Sequence, residues 1–535
     1  MSPKNITTEL REKSFVYSLL LFVIVLPFSE AFISIAAAIL FLQAVLLQSW
    51  AAIKESLRSR RMVFLIVAIF GVYLLGMLHT KNLSLAFYEL KKVAFWIVLP
   101  IALALSPKLP EKRFYNVVKV FCIAVTLGAL IAIVRFIFKS EFNISDFRKI
   151  TLVSHIRYTF QVILAIFSGF FLIVNDERIR KNSTYIGITI LAIVCLIAFL
   201  FILKSITGII AFIGAIGFFA MYYLFSAKRK MSYLLFLLLA LVIVAPISYT
   251  KSVWDNFYDI EKLNPEQVEK FTASGNMYTF NFTSDDKENG NWVYSYICME
   301  ELRSEWNKRS KYDFDTRDKN GFYYKSTLIR YLTSKGLKKD SVGVSKLAEK
   351  DILAIEQGIA NHIYIDKKYS LYPRIYETIW EYDRYKSYGN PNGQSLSQRI
   401  EFVKASLVLI KENFWIGIGT GNWKNKYAKA YEQINSKLKE ENQRSSHNQY
   451  LNYMVKFGIL GFVFIMCMLL IPVFKEGHQK NLLFWIFLVF MGVANFGDAN
   501  LETHIGLSFF CFFYCLFLWH SPEEIKNFTF QELQQ

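Results

Sequence analysis

Long apolar runs separated by short polar connections set the pattern of this chain. Twelve runs are legible, at about 15–28, 31–47, 62–78, 93–106, 117–138, 158–175, 184–203, 205–226, 231–249, 449–474, 481–497 and 504–519. Most approach the roughly 17–25 residues that an α-helix needs to cross a bilayer. The pattern predicts an all-α polytopic membrane protein with about twelve transmembrane helices. Runs one and four are short, which tilt or interfacial flanking residues accommodate. Only Ser29 and Glu30 separate the first run from the next region of apolar sequence, which predicts an uncleaved hairpin instead of a secretory leader.

One connection breaks the pattern. Residues 250–448 separate runs nine and ten, too long for a simple link. The predicted organisation is therefore spans one to nine over 1–249, a large and mainly helical loop over 250–448, spans ten to twelve over 449–519, and a tail over 520–535. Within the loop, 254–320 is polar, with turn signals at Asp285-Asp286 and Asn289-Gly290, and predicts irregular structure. From about 342 the pattern turns helical: Val344, Leu347, Ile352, Leu353, Ile355 and Ile359 form one stripe, and Ile375, Ile379 and Trp380 suggest another. After the turn Gly389–Gly393, Ser395 and Ser397 can cap a helix reaching about Asn413. Its expected apolar face is Ile400, Val403, Leu407 and Ile410.

Composition agrees. Of 535 residues, 54% are hydrophobic and 19% charged, and 49 are Phe. This excludes a disordered chain, a collagen and a small disulfide scaffold. Five cysteines lie in apolar runs and only Cys298 in a polar stretch, so no disulfide is expected.

The net charge of +18 divides by topology. One alternate set of connections is rich in Lys and Arg: Lys4, Arg11 and Lys13; Lys54, Arg58, Arg60 and Arg61; Lys108, Lys112 and Arg113; Arg178, Arg180 and Lys181; Lys228, Arg229 and Lys230; Lys475 and Lys480. The other set holds only Lys81, Lys91, Lys92, Lys139, Arg148, Lys149, Arg157 and Lys204. The basic set is expected to face the cytoplasm, with both termini, and the large loop to face outward. From 250 to 446 the loop carries 31 Lys and Arg against 27 Asp and Glu, so it is nearly balanced. A nucleic-acid partner is not expected.

The candidate chemistry lies late in the chain. Gly417-Ile-Gly-Thr-Gly421 fits neither the dinucleotide fingerprint nor a P-loop. It reads either as a turn between helices or as bare backbone, at Gly419 and Gly421, approaching a sugar or phosphate. His447-Asn448 leads into run ten, with Gly458 and Gly461 following inside it. These four residues, and the stretch from Gln398-Arg399 to Gly421-Asn422, resemble the signature motifs of the O-antigen ligase and O-antigen polymerase superfamily. The span count and the loop's position resemble that family as well.

The resemblance implies transfer of a glycan from an undecaprenyl-diphosphate-linked donor to an acceptor hydroxyl. The setting would be the periplasmic face of the bacterial inner membrane. Lipid A-core is the expected acceptor of a ligase-type member. Another glycan would serve a polymerase, and a protein hydroxyl an O-oligosaccharyltransferase. A diphosphate leaving group suits planar guanidinium groups, which bind its oxygens in a bidentate way and stabilise the charge that develops. Arg399, Arg157 and His447 are the candidate catalytic residues, with His447 either accepting a hydroxyl proton or contributing positive charge. Asn448, Gly419, Gly421, Lys204, Glu502 and His504 are candidate substrate-binding residues. Family members often carry Ser-Arg-Thr-Gly before span eight, where this chain has Lys204-Ser-Ile-Thr-Gly208, so Lys204 is the candidate substitute for that charge. Glu502 and His504 read otherwise as a solvated interfacial pair, and Gly458 and Gly461 as close-packing residues.

No metal and no cofactor is expected. The only extracytoplasmic Asp-x-Asp is Asp313-Phe-Asp315, distant from the motif. A polytopic transporter is the alternative of another class. It predicts internal repeats and charges at mid-bilayer, whereas the charged residues here read as clustering at span ends. A scaffold or receptor predicts no convergence of Arg157, Arg399 and His447.

Overall fold

A computed structural model of the protein describes residues 3–138, 149–224, 229–260, 263–264, 266–477 and 481–522. The predicted connecting residues Lys139, Arg148, Lys228 and Lys480, and most of the 520–535 tail, lie outside these. Regular structure is almost entirely helical, and each of the twelve apolar runs is occupied by a helix. Six helices among the described residues are long and apolar enough to cross a membrane: Glu111–Phe138, His155–Asn175, Ser183–Leu203, Ile206–Leu224, Tyr233–Tyr258 and Gln449–Lys475. Glu30–Leu46 and Trp50–Ser59 meet at 111° and would add a seventh if counted as one span. Val63–Met77, Leu482–Gly497 and His504–His520 are shorter apolar helices.

The chain forms two compact units. One contains residues up to Val242 and from Gln398 onward; the other is Ile243–Ser397. Residues 398–448 of the predicted loop thus pack with the apolar helices.

The first unit is built around His504–His520, in which every residue from Ile505 to His520 is buried. The Glu30–Leu46, Phe95–Leu105, His155–Asn175 and Leu482–Gly497 helices surround it. The abundance of Phe finds its use here. Phe22 stacks on Phe512 at 4.3 Å, Phe121 meets Phe513 at 4.6 Å, and Phe487 stacks on Phe510 at 5.6 Å. Such pairs add about 0.5–1.5 kcal/mol each beyond their buried area. Some of the basic residues read as topological signals also cap a helix. Arg60 donates to the carbonyls of Leu103, Ala104 and Ser106, and Arg11 to that of Leu105, at the end of Phe95–Leu105. These carbonyls have no partner within the helix, and its dipole favours a cation there.

The Gln449–Lys475 helix is broken at Gly458, whose φ of 65° and ψ of −173° suit glycine alone. The break frees backbone groups that residues 414–420 satisfy. Ile418 and Gly419 donate to the carbonyls of Val455 and Lys456, both at 2.9 Å, and Ile459 donates to that of Phe414 at 2.8 Å. The close approach explains two glycines. A Cβ on Gly458 would come within 2.3 Å of the Trp415 carbonyl, and one on Gly417 within 2.4 Å of the Phe457 nitrogen. Gly458→Ala is therefore expected to destabilise the protein by about 3 kcal/mol or more, read as a lower unfolding temperature in detergent. An unchanged midpoint would show that the crossing can relax.

Two expectations about local structure are corrected. The face of Ser395–Glu412 that packs is Phe402, Ala405 and Leu409, joined by Ile410, whereas Leu407 is exposed. The partners of this face are Ile418, Tyr427, Ala430, Tyr431 and Val455. Second, the polar stretch 254–320 is not wholly irregular, since Met299–Arg309 is a helix, and Tyr324–Ser334 is another ahead of 342. The first buries only Leu302 and Trp306 among its large apolar residues, so its helical period was masked by polar positions, whereas the second buries Leu328, Ile329, Tyr331 and Leu332. These two helices, with Glu349–Glu356, enclose the core of the second unit around Trp306, Phe314, Leu328, Leu332, Ile352 and Ile355. A two-residue hairpin, Lys287–Glu288 with Asn291–Trp292, is the only sheet among the described residues.

Candidate functional site

Asp498 joins two of the predicted catalytic residues. It follows the Leu482–Gly497 helix, and its carboxylate accepts from the Arg157 guanidinium at 2.7 Å and faces His447 Nδ1 at 3.0 Å. Its side chain is 8% exposed, Arg157's 14% and His447's 38%. Burial pushes the Asp498 carboxyl upward, but the His447 hydrogen bond and the positive Arg157 prevail and hold it at about 2. The carboxylate fixes the imidazole with Nδ1 toward it, leaving Nε2 as the other ring nitrogen for chemistry. His447 has a left-handed backbone, φ 48°, uncommon outside glycine. That turn precedes Asn448, whose side chain accepts from the Tyr450 and Leu451 amides.

Arg399 lies on Ser395–Glu412, one helical turn before Phe402, and the Phe402 ring stacks on His447 at 5.4 Å. The helix carrying Arg399 therefore touches the imidazole. The 204–208 motif borders the same place. Lys204 ends the Ser183–Leu203 helix in a left-handed conformation, φ 50°. Gly208 packs so closely on Thr159 that a Cβ would lie 2.1 Å from its methyl, and a Cβ on Gly497 would lie 2.8 Å from that of Thr207. Residues 157–159, 204–208 and 497–498 are thus neighbours.

Other predicted substrate-binding residues serve the protein itself. Asn448 caps its helix and donates to the Phe496 carbonyl at 3.2 Å. A Cβ on Gly419 would meet the Gly76 carbonyl at 2.6 Å, and one on Gly421 the Asn82 carbonyl at 2.5 Å. The bare backbone there approaches the chain's own segments. Glu502 is not a solvated partner of His504. It is 7% exposed and bonds Lys456 at 2.8 Å, Asn452 at 3.2 Å and Tyr73 at 3.2 Å. Lys456 also binds Glu89 at 2.9 Å. His504 instead pairs through Nε2 with Ser34 Oγ at 2.6 Å. In the second unit, Asp315 pairs with Arg303 and Lys325, and Asp313 accepts from Asn307. No group of three His, Cys, Asp or Glu converges among the described residues.

Sequence reading missed Asp498, Glu89 and Lys456. Lys456 gave a signal: it is a cation inside an apolar run, where an unpaired charge is costly, so it demanded carboxylate partners. The reading that charges cluster at span ends fails at this residue.

Residues 358–466 match the family model described as O-antigen ligase. That stretch holds Arg399, the glycine segment, His447, Asn448 and the Gly458 break. The helices and this match together support a multi-pass membrane protein with an O-antigen ligase-like stretch over 358–466. Over 358–466 the chain carries the domain of the O-antigen ligase and polymerase superfamily. No curated protein matches the chain.

Proposed function

We propose that the protein transfers a glycan from an undecaprenyl-diphosphate donor to an acceptor hydroxyl on the periplasmic face of the inner membrane, as an O-antigen ligase acting on lipid A-core. The observation that carries this reading is the placement of His447 and Arg157 on one buried carboxylate, beside the helix of Arg399. In the proposed step His447 Nε2 takes the proton of the acceptor hydroxyl, whose oxygen attacks the anomeric carbon. The bond from that carbon to the diphosphate oxygen breaks, and the leaving diphosphate takes the electron pair. Asp498 holds the imidazole and stabilises it once protonated. Arg157 and Arg399 meet the diphosphate charge as it develops. The driving force is already present in the donor, so the reaction needs neither ATP nor a divalent cation. The proposed topology has twelve spans, cytoplasmic termini and the large loop outside, with Lys204 near the donor.

Purified protein with lipid-linked donor and acceptor tests the chemistry. Transfer is expected to persist in chelator and to fall at least about tenfold in Arg399→Lys, which keeps the charge but loses the guanidinium fork. Abolition by chelator with recovery on adding metal, or wild-type transfer by Arg399→Lys, would overturn the respective assignment. Lipopolysaccharide from a deletion strain tests the acceptor. Loss of all long glycan means ligase, a single repeat on the core means polymerase, and an unchanged pattern removes both.

A further inference from the structure

The Ile243–Ser397 unit has a cleft of its own. It is an open cleft of about 370 Å³ lined by Asn256, Asp259, Asn289, His362, Ile363, Lys367 and Tyr372. That volume is in the range of small-ligand sites, about 300–1,000 Å³. Its floor is rigidly built. The Glu288 carboxylate beneath is 1% exposed and is bonded by Arg330, Asn361 and Tyr376, each at 2.8 Å. Tyr376 and Asn361 in turn hold Asn289, which has a left-handed φ of 46° and donates to the Ser334 carbonyl at 2.9 Å. A Cβ on the next residue, Gly290, would come within 2.6 Å of the Asp259 carbonyl, so the hairpin turn is wedged against that wall. Asn289-Gly290 is the pair that a two-residue hairpin turn favours, so the turn is fixed in place without strain.

The lining selects a ligand class. It offers amide, carboxylate, ammonium, imidazole and phenol groups, donors and acceptors together, with little apolar surface. Lys367 lies 3.5 Å from the centre of the Tyr372 ring, and neither it nor Asp259 forms an ion pair among the described residues. Burial lowers the His362 pKa below its usual value, favouring the neutral ring. One positive and one negative side chain then remain, and Asp259 repels an anion. We propose that this cleft is a binding site for a neutral saccharide, separate from the His447 site. Its part in glycan transfer, holding a glycan chain, rests on the function proposed above.

The test uses the full-length protein in lipid nanodiscs and saturation-transfer NMR with glucose, galactose and N-acetylglucosamine, each at millimolar concentration. At least one sugar is expected to bind. Asp259→Ala and Lys367→Ala, each made alone at an exposed position, are expected to weaken binding tenfold or more, and His447→Ala to leave it intact. Binding to none of the three, binding unchanged in both cleft variants, loss of binding in His447→Ala, or tighter binding of inorganic phosphate than of any sugar would overturn the proposal. Failure of glycan transfer with sugar binding retained would overturn only the transferase reading.

Discussion

Asp498→Asn is expected to lower glycan transfer by about a hundredfold or more, the scale set by a correctly held general base. The amide keeps the shape of the carboxylate but removes the charge that both Arg157 and His447 face at 2.7 and 3.0 Å. It can also turn its NH₂ toward Nδ1, which favours the tautomer with the proton on Nε2, where acceptance is needed. The check is the rate of transfer by purified variant and wild type at equal folded concentration. Near-wild-type transfer would remove Asp498 from the mechanism. The pH dependence has a definite sign. An ordinary Asp titrates near 3.9, whereas this carboxyl, lowered against burial by His447 and Arg157, titrates at about 2. A depressed folded value stabilises the protein fully above the unfolded value, and the contribution disappears as pH falls through about 2. Between about pH 4 and 2 the unfolding midpoint should therefore fall more steeply for wild type than for Asp498→Asn, while any change in transfer between pH 5 and 8 comes from other groups.

Lys456→Met is expected to destabilise the fold by about 3–5 kcal/mol, the cost of leaving a buried charge without its partner. Lys456, Glu89 and Glu502 have side chains 4%, 1% and 7% exposed. Glu89 keeps Lys92 at 2.8 Å, so the larger penalty falls on Glu502, left with only the neutral donors Asn452 and Tyr73. Lys456→Met combined with Glu502→Gln should recover much of the loss, because the amide no longer needs a cation. Thermal unfolding in detergent measures both. A single variant as stable as wild type would mean that the carboxylates find other compensation. The triad also bears on the site, since Glu502 and Asp498 share one short connection, and Leu501 in between donates to Gln449 at 2.8 Å.

The helices were legible because hydropathy sums over many residues, and a run such as 184–203 survives any single polar position. Sequence pointed to His447, Arg157 and Arg399, and in the fold the first two meet Asp498 while the helix of the third packs on the imidazole. The same summing hid Lys456, whose charge is diluted by the apolar residues around it. Asp498 was hidden differently: one residue past an apolar run, it looks like any span-end charge. Its role depends on Arg157 and His447, 341 and 51 positions away in the chain, by the numbering of the sequence. Glycine spacing at 417–421 announced a close approach but not to what. The answer, Gly76 and Asn82 for Gly419 and Gly421, required the fold. The Met299–Arg309 helix escaped because its few buried apolar residues set too faint a period.

The interrupted Gln449–Lys475 helix constrains how the molecule is made. A continuous helix enters lipid with all its backbone bonds closed, but each open group in hydrocarbon costs several kcal/mol. This helix closes its bonds around Gly458 only through residues 414–420, and Thr420 in turn donates to the Gly76 carbonyl at 3.0 Å. Its two halves therefore reach their native state as one insertion event with the preceding segment, docked on a helix synthesised several hundred residues earlier. A nascent chain that ends between 421 and 448 has that earlier helix in hand but not the partner for 414–420. Assembly of this part of the protein is accordingly a late step in biogenesis, completed only as the broken helix enters together with residues 414–420.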